Sequence, residues 1–190
     1  MNANMINVVT VPTPNPATMM FRPGCTVMET GTANFPSADA AGASPLAARL
    51  FGIEGVAGVF LGSDFVSVAK RQPADWSALE SPVRREIEAH FEAGAPVIAG
   101  ATEAATDVVA DGPVAARIIE LLDERIRPSV ALDGGDIVFR GFRDGVVYLS
   151  LEGACVGCPS SAATLKMGVE NLLKFYLPEI DRVEAVGAGS

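Results

Sequence analysis

The stretch IVFRGFRDGVVYLSLEGACVGC, residues 137–158, decides how the second half of the chain folds. Two apolar runs, Ile137–Phe142 and Val146–Leu151, flank Asp144-Gly145. That pair suits the positive φ angles of a two-residue hairpin turn. Val147, Leu149 and Leu151 alternate along the second run, so they share a face that is expected to be buried. The strand then leads into Gly153-Ala-Cys155-Val-Gly-Cys158-Pro-Ser-Ser. The spacing predicts a helix from about Pro159 to Leu177, with Leu165, Val169, Leu172, Leu173 and Tyr176 toward the core. Pro178 stops it, and Arg182–Val186 reads as a last strand.

Upstream of the hairpin, Pro113 opens a helix whose Val114, Ile118, Leu121, Leu122 and Ile126 form one stripe. Pro128 is expected to kink this helix or end its regular part, because it lacks an N–H and its ring crowds the preceding turn. Gly134-Gly135 then turns the chain. Before Pro113 lies GAPVIAGATEAATDVVADG, rich in Ala, Gly and Thr, without a basic residue. It reads as a flexible linker over residues 94–112, with a short ordered piece at Val97-Ile98.

The first half shows a strand around Ile6–Thr10, a Pro-rich turn at Pro12–Pro16 and a strand over Met19–Phe21. Ser44 caps a short helix with Pro45 at its first position, running to about Phe51. Val56–Leu61 and Asp64–Ala69 flank Gly62-Ser63 as a hairpin. Trp76 to Phe91 carries Leu79, Val83, Ile87 and Phe91 at helical spacing. No internal repeat relates the halves. The predicted fold class is α+β: two small α+β domains joined by a flexible linker, with boundaries at 1–93, 94–112 and 113–190.

The bulk numbers exclude several functions. Net charge is −9, and an acidic surface repels nucleic acid. No apolar run is long enough to span a bilayer, so no membrane partner is expected. The first residues, Met-Asn-Ala-Asn-Met-Ile-Asn, look like neither an export signal nor an organelle presequence. Three cysteines cannot form a full disulfide framework. These features read as a soluble, cytoplasmic protein whose thiols bind or react.

The chemistry centres on Cys155 and Cys158. Pro159 suits a first helical turn, which makes Cys158 the N-cap and places Cys155 in the loop before it. Free backbone N–H groups and the helix dipole favour thiolate, the form that binds metal. Gly153 and Gly157 let backbone approach a bulky inorganic group. Two near-surface cysteines on a tight turn serve no packing purpose. The remaining soft donors, Cys25 and His90, lie in the other half. One copy therefore owns two ligands. A redox dithiol normally sits in a βαβ setting, whereas a hairpin precedes this motif. Structural zinc needs four ligands, hence a dimer. A cluster shared by two chains also needs four thiolates, which two copies supply. Spacing ranks a bridging metal site above a redox dithiol and leaves zinc and iron–sulfur open.

Residues 113–186 resemble the C-terminal NifU-like (Nfu-type) domain. The stretches that carry the likeness are Ile126-Arg-Pro-Ser-Val-Ala-Leu-Asp-Gly-Gly-Asp-Ile, Gly153-Ala-Cys-Val-Gly-Cys-Pro-Ser-Ser, Thr164-Leu-Lys-Met-Gly-Val-Glu and Phe175-Tyr-Leu-Pro-Glu. Residues from about Asn7 to Phe91 resemble the N-terminal domain of the same family, through Thr13-Pro-Asn-Pro-Ala-Thr-Met-Met-Phe, Arg22-Pro-Gly, Ser44-Pro-Leu-Ala, Gly55-Val-Ala-Gly-Val-Phe and Asp75-Trp. The family pattern has a basic residue just before Phe21, where this chain has Met20. The resemblance implies an iron–sulfur scaffold or carrier rather than an enzyme. It would bind a labile cluster, [4Fe–4S] by preference and [2Fe–2S] as the alternative, through Cys155 and Cys158 of two chains. Implied partners are recipient apo iron–sulfur proteins, upstream assembly proteins and a second copy in a loaded homodimer. The first domain would dock those proteins.

Other residues read more plainly. Cys25 is a bystander thiol. His90 is expected to be solvated, on the face opposite Ile87 and Phe91 or at its edge. Trp76 anchors a helix start. Asp133-Gly-Gly-Asp136 is a turn, since the rest of an oxygen cage is missing. Lys166 is a surface charge.

Overall fold

The computed structural model describes residues 6–99, 112–156 and 161–186. The chain divides into two compact units, Met1–Ala104 and Ala105–Ser190, each with helices on a sheet. The α+β class expected from the sequence is therefore what is found. The expected linker lies largely outside the described residues, over 100–111.

The first unit has an antiparallel five-stranded sheet in the order β1-β2-β5-β4-β3. Its strands are β1 (Val9–Pro12), β2 (Thr18–Arg22), β3 (Ala33–Phe35), β4 (Val56–Leu61) and β5 (Val66–Lys70). Strand β1 starts later than the alternation suggested and ends on Pro12, at the sheet edge where a missing N–H is tolerated. The Pro-rich turn is held by short side chains. Thr13 Oγ1 donates to the Thr18 carbonyl at 2.8 Å, and Asn15 Oδ1 accepts from Ala17 N at 3.0 Å. Helix α1 (Pro45–Phe51) begins as predicted, with Ser44 Oγ accepting from Ala47 N at 3.1 Å. The same hydroxyl donates to the Val97 carbonyl at 2.7 Å. This ties residues 97–99 back to α1, and Val97 and Ile98 pack against the core. Phe21, Leu46, Leu50, Leu61, Val66, Val83 and Ile87 form its fully buried centre.

Helix α2 (Trp76–Glu92) buries Leu79, Val83 and Ile87 as the spacing predicts. It also buries His90, which is 1% exposed and corrects the expectation of a solvated imidazole. Val83, Ile87 and His90 follow one another at i, i+4 and i+7, so the ring falls on the core side. It packs edge-on against Phe91, centroids 5.6 Å apart. Trp76 anchors the start of α2, donating from Nε1 to the Pro16 carbonyl at 3.0 Å. Met20 is 2% exposed, so the position where a basic residue was expected is an apolar core site.

The second unit begins with α3 (Pro113–Leu121), continues through a π-helical turn (Leu122–Ile126) and resumes as α4 (Arg127–Leu132). The wider turn falls just before Pro128, where the missing N–H and the ring would break a regular α-ladder. Strands β6 (Gly135–Arg143) and β7 (Val146–Gly153) form the predicted hairpin around Asp144-Gly145, with φ of 50° and 76°. Strand β8 (Arg182–Ala185) adds to β7 in parallel, giving the order β6-β7-β8. Helix α5 (Ser161–Tyr176) buries Val169 and Leu173. Tyr176 corrects the periodicity reading. It is 40% exposed, and the Arg125 guanidinium lies over its ring at 6.0 Å.

Candidate metal centre

The site is built where β7 leaves the sheet. Gly153, the last residue of β7, pairs across the ladder with Gly135, the first of β6. Gly153 takes φ +62°, and its carbonyl accepts from Val156 N at 3.1 Å, closing a turn that contains Ala154 and Cys155. Ala154 N donates to the Gly134 carbonyl at 3.1 Å. Gly134, at φ +79°, ends the turn that follows α4. The thiol loop is therefore clamped by backbone bonds onto the start of β6.

Cys155 is 7% exposed and belongs to the apolar core that also holds Ile137, Val147, Val169 and Leu173. This corrects the reading of a near-surface thiol with no packing role: the turn that carries Cys155 folds inward onto β6. Its neighbour Val156 is 50% exposed, so the loop crosses from core to surface within one residue. Cys158, Gly157 and the Pro159 helix start lie outside the described residues. Among the described residues, no group of three or more His, Cys, Asp and Glu side chains is placed to hold a metal ion. Cys25, a half-buried thiol, and His90 both belong to the first unit. Burial pushes the Cys25 thiol up, away from thiolate.

Asp133-Gly-Gly-Asp136 is a turn, as read from the sequence. Asp136 is buried at 5% exposure, accepts from Ile137 N at 2.7 Å and faces Arg127 Nε at 3.2 Å. Arg127 also reaches Asp123 at 2.9 Å. Across the ladder from Asp136 stands Glu152, 8% exposed and paired with Arg140 Nη2 at 3.2 Å. A bulge between Phe139 and Gly141 makes Arg140 the extra residue of β6, and such bulges re-aim a side chain. Burial raises the Glu152 carboxyl above its ordinary value, with Arg140 opposing that rise and Asp136 adding to it. Sequence reading missed this chain of charges. Its one trace was Ser150 and Glu152 alternating opposite Val147, Leu149 and Leu151. Lys166 is exposed on α5.

A thiol-bearing loop on a hairpin–helix unit, preceded by a separate α+β unit, defines a two-domain α+β protein. Residues 8–94 match the family described as scaffold protein Nfu/NifU N terminal, and residues 118–184 match the NifU-like domain. The chain is 47% identical over 183 residues to the human NFU1 iron–sulfur cluster scaffold homolog, mitochondrial, covering 94% of this chain and 71% of that protein. The Drosophila erecta protein of the same name is 47% identical over 182 residues, and the chain spans 64% of its length. A solved NifU-like protein from Saccharomyces cerevisiae is similar over 52% of the chain and 89% of its own, with TM-score 0.47 and 21% identity. The chain belongs to the Nfu family of iron–sulfur cluster scaffold proteins.

These relatives correct one expectation. Both are named mitochondrial, which overturns the cytoplasmic reading. That reading rested on net charge, the lack of a long apolar run, the first seven residues and the cysteine count, none of which is a physical determinant of compartment.

Proposed function

We propose that this protein carries a labile iron–sulfur cluster, [4Fe–4S] by preference, held between two copies by Cys155 and Cys158 of each, and delivers it to apo-proteins. The observation behind this reading is a shortfall of donors. Iron–sulfur clusters of the [2Fe–2S] and [4Fe–4S] types take four thiolates. This chain places Cys155 in a clamped loop three residues before Cys158, while Cys25 and His90 belong to the other unit. The soft donor set fits iron–sulfur cargo, and a twin supplies the missing pair.

A cargo held only at an interface leaves when the interface opens. Thiolates of a recipient replace Cys155 and Cys158 in turn, and the two copies separate. Ligand exchange of this kind needs no general acid, base or nucleophile, so the role is that of a carrier rather than an enzyme. Residues 113–190 hold the cargo, residues 1–93 dock recipients and upstream assembly proteins, and residues 94–112 join them. The burial of Cys155 weighs against thiol–disulfide exchange, because catalytic thiols are partly exposed.

Anaerobic reconstitution with iron and sulfide tests the reading. The wild-type protein should turn brown and run at the mass of a dimer in solution. Cys155→Ser and Cys158→Ser should each lose essentially all bound iron and sulfide. A loaded monomer with no small thiol completing the coordination would refute the shared site. Zinc at one per two chains, without sulfide, would point to a structural dimer instead.

A further inference from the structure

Gly135 stands at the first position of β6, directly beneath the thiol loop. A Cβ placed there would lie 2.5 Å from Cys155 Sγ, 2.8 Å from the Glu152 carbonyl oxygen and 3.0 Å from Cys155 N. Real Cβ atoms do not approach sulfur or oxygen so closely. The constraint is space rather than backbone strain, because Gly135 is not among the glycines with positive φ. Gly134 beside it serves the turn, at φ +79°. The two glycines of the pair thus do different work: one bends the chain and the other leaves room.

We infer that Gly135 is a positioning residue, whose missing side chain is the seat of the Cys155 sulfur in the cargo-free chain. The sulfur lies 2.5 Å from where any other residue would put its Cβ, well inside contact distance. That seat lets Cys155 join the core with Ile137, Val147 and Val169 and keeps it at 7% exposure. The seated thiol is shielded from oxidants and electrophiles until cargo arrives, since thiol reactivity needs access as well as thiolate. The functional meaning of the seat rests on the carrier reading above, in which Cys155 is a cargo ligand. The seat itself is a property of the metal-free chain.

The experiment uses full-length, metal-free protein. Cys155 alkylation by iodoacetamide is followed peptide by peptide in a mass spectrometer, with Cys25 as the internal reference. Gly135→Ala should expel the sulfur and speed Cys155 labelling several-fold, while Cys25 labelling stays unchanged. Equal Cys155 rates in folded wild type and variant would overturn the seat. The same Cβ also meets the Glu152 carbonyl, so Gly135→Ala carries a cost unrelated to sulfur. Cys155→Ala separates the two in a double-mutant cycle. The fall in thermal midpoint caused by Gly135→Ala should be smaller in the Cys155→Ala background, by roughly 4–8 °C. Recovery of folding in the double variant, should the single one fail to fold, supports the seat equally. An equal fall in both backgrounds, or failure of the double variant to fold, overturns it, because the clash is then with backbone. Failure of wild-type protein to bind a cluster would remove the carrier reading and leave these metal-free results standing.

Discussion

His90 in the first unit and Glu152 in the second are both buried, yet burial acts on their stability in opposite directions with pH. Among the described residues, no acidic side chain pairs with His90. Burial lowers its pKa below 6.5, the Arg49 charge lowers it further, and hydrogen bonds to the backbone at Pro96 and Ala95 pull the other way. Its Nε2 is buried with no partner among the described residues. The folded form binds fewer protons than the unfolded one. Stability from His90 is therefore complete above 6.5 and is lost as pH falls through the lowered folded value. Glu152 has Arg140 at 3.2 Å, but burial outweighs that pairing and raises its pKa above 4.5. Its contribution is complete below 4.5 and is lost as pH rises through the raised folded value. Burial disfavours the charged form of both groups, and the directions differ because histidine is charged with its proton and a carboxyl without it; the Arg140 counter-charge offsets only part of the burial at Glu152.

The largest change to this contrast comes from removing the counter-charge. Arg140→Met should destabilise the protein by about 2 kcal/mol at neutral pH, because Glu152 is left buried without its partner. The loss should shrink near pH 4.5 as the carboxyl takes a proton. Urea unfolding at the two pH values measures both, and a pH-independent loss would mean that Arg140 matters through packing alone. A middle-sized effect belongs to the first unit, where Ser44 makes neutral hydrogen bonds. Ser44→Ala removes the cap of α1 and the tie to Val97 together and should cost about 1–2 kcal/mol at every pH. A pH-dependent cost there would blur the contrast. The smallest effect sharpens it most directly. His90→Gln should flatten the loss of stability on the acid side of 6.5 and leave the slope associated with Glu152 in place. An unchanged acid-side slope would show that another group titrates there.

Much of this fold was legible because its signals are local. The Asp144-Gly145 turn needs positive φ, and those residues supply it. Ser44-Pro45 is a helix start by side-chain chemistry alone, and Pro128 lacks the N–H that a regular helix would use there. His90 and Tyr176 were misplaced because periodicity gives a face and not what covers it. His90 lies at i+7 from Val83 and is covered, whereas Tyr176 lies one turn past the last buried residue and faces out. The alternation that located β7 also concealed Glu152, which sits on the face expected to be wet and is buried beside Arg140 and Asp136.

By itself the sequence determined the class, the hairpin around Asp144-Gly145 and the helix start at Ser44-Pro45, since each follows from residue chemistry over a few positions. Only tertiary structure decided that Cys155 lies inside rather than at the surface, and that Gly135, twenty residues earlier in the chain, makes the room for it. Strand pairing brings those two together. Steric exclusion between residues far apart in sequence leaves no mark on composition, spacing or periodicity.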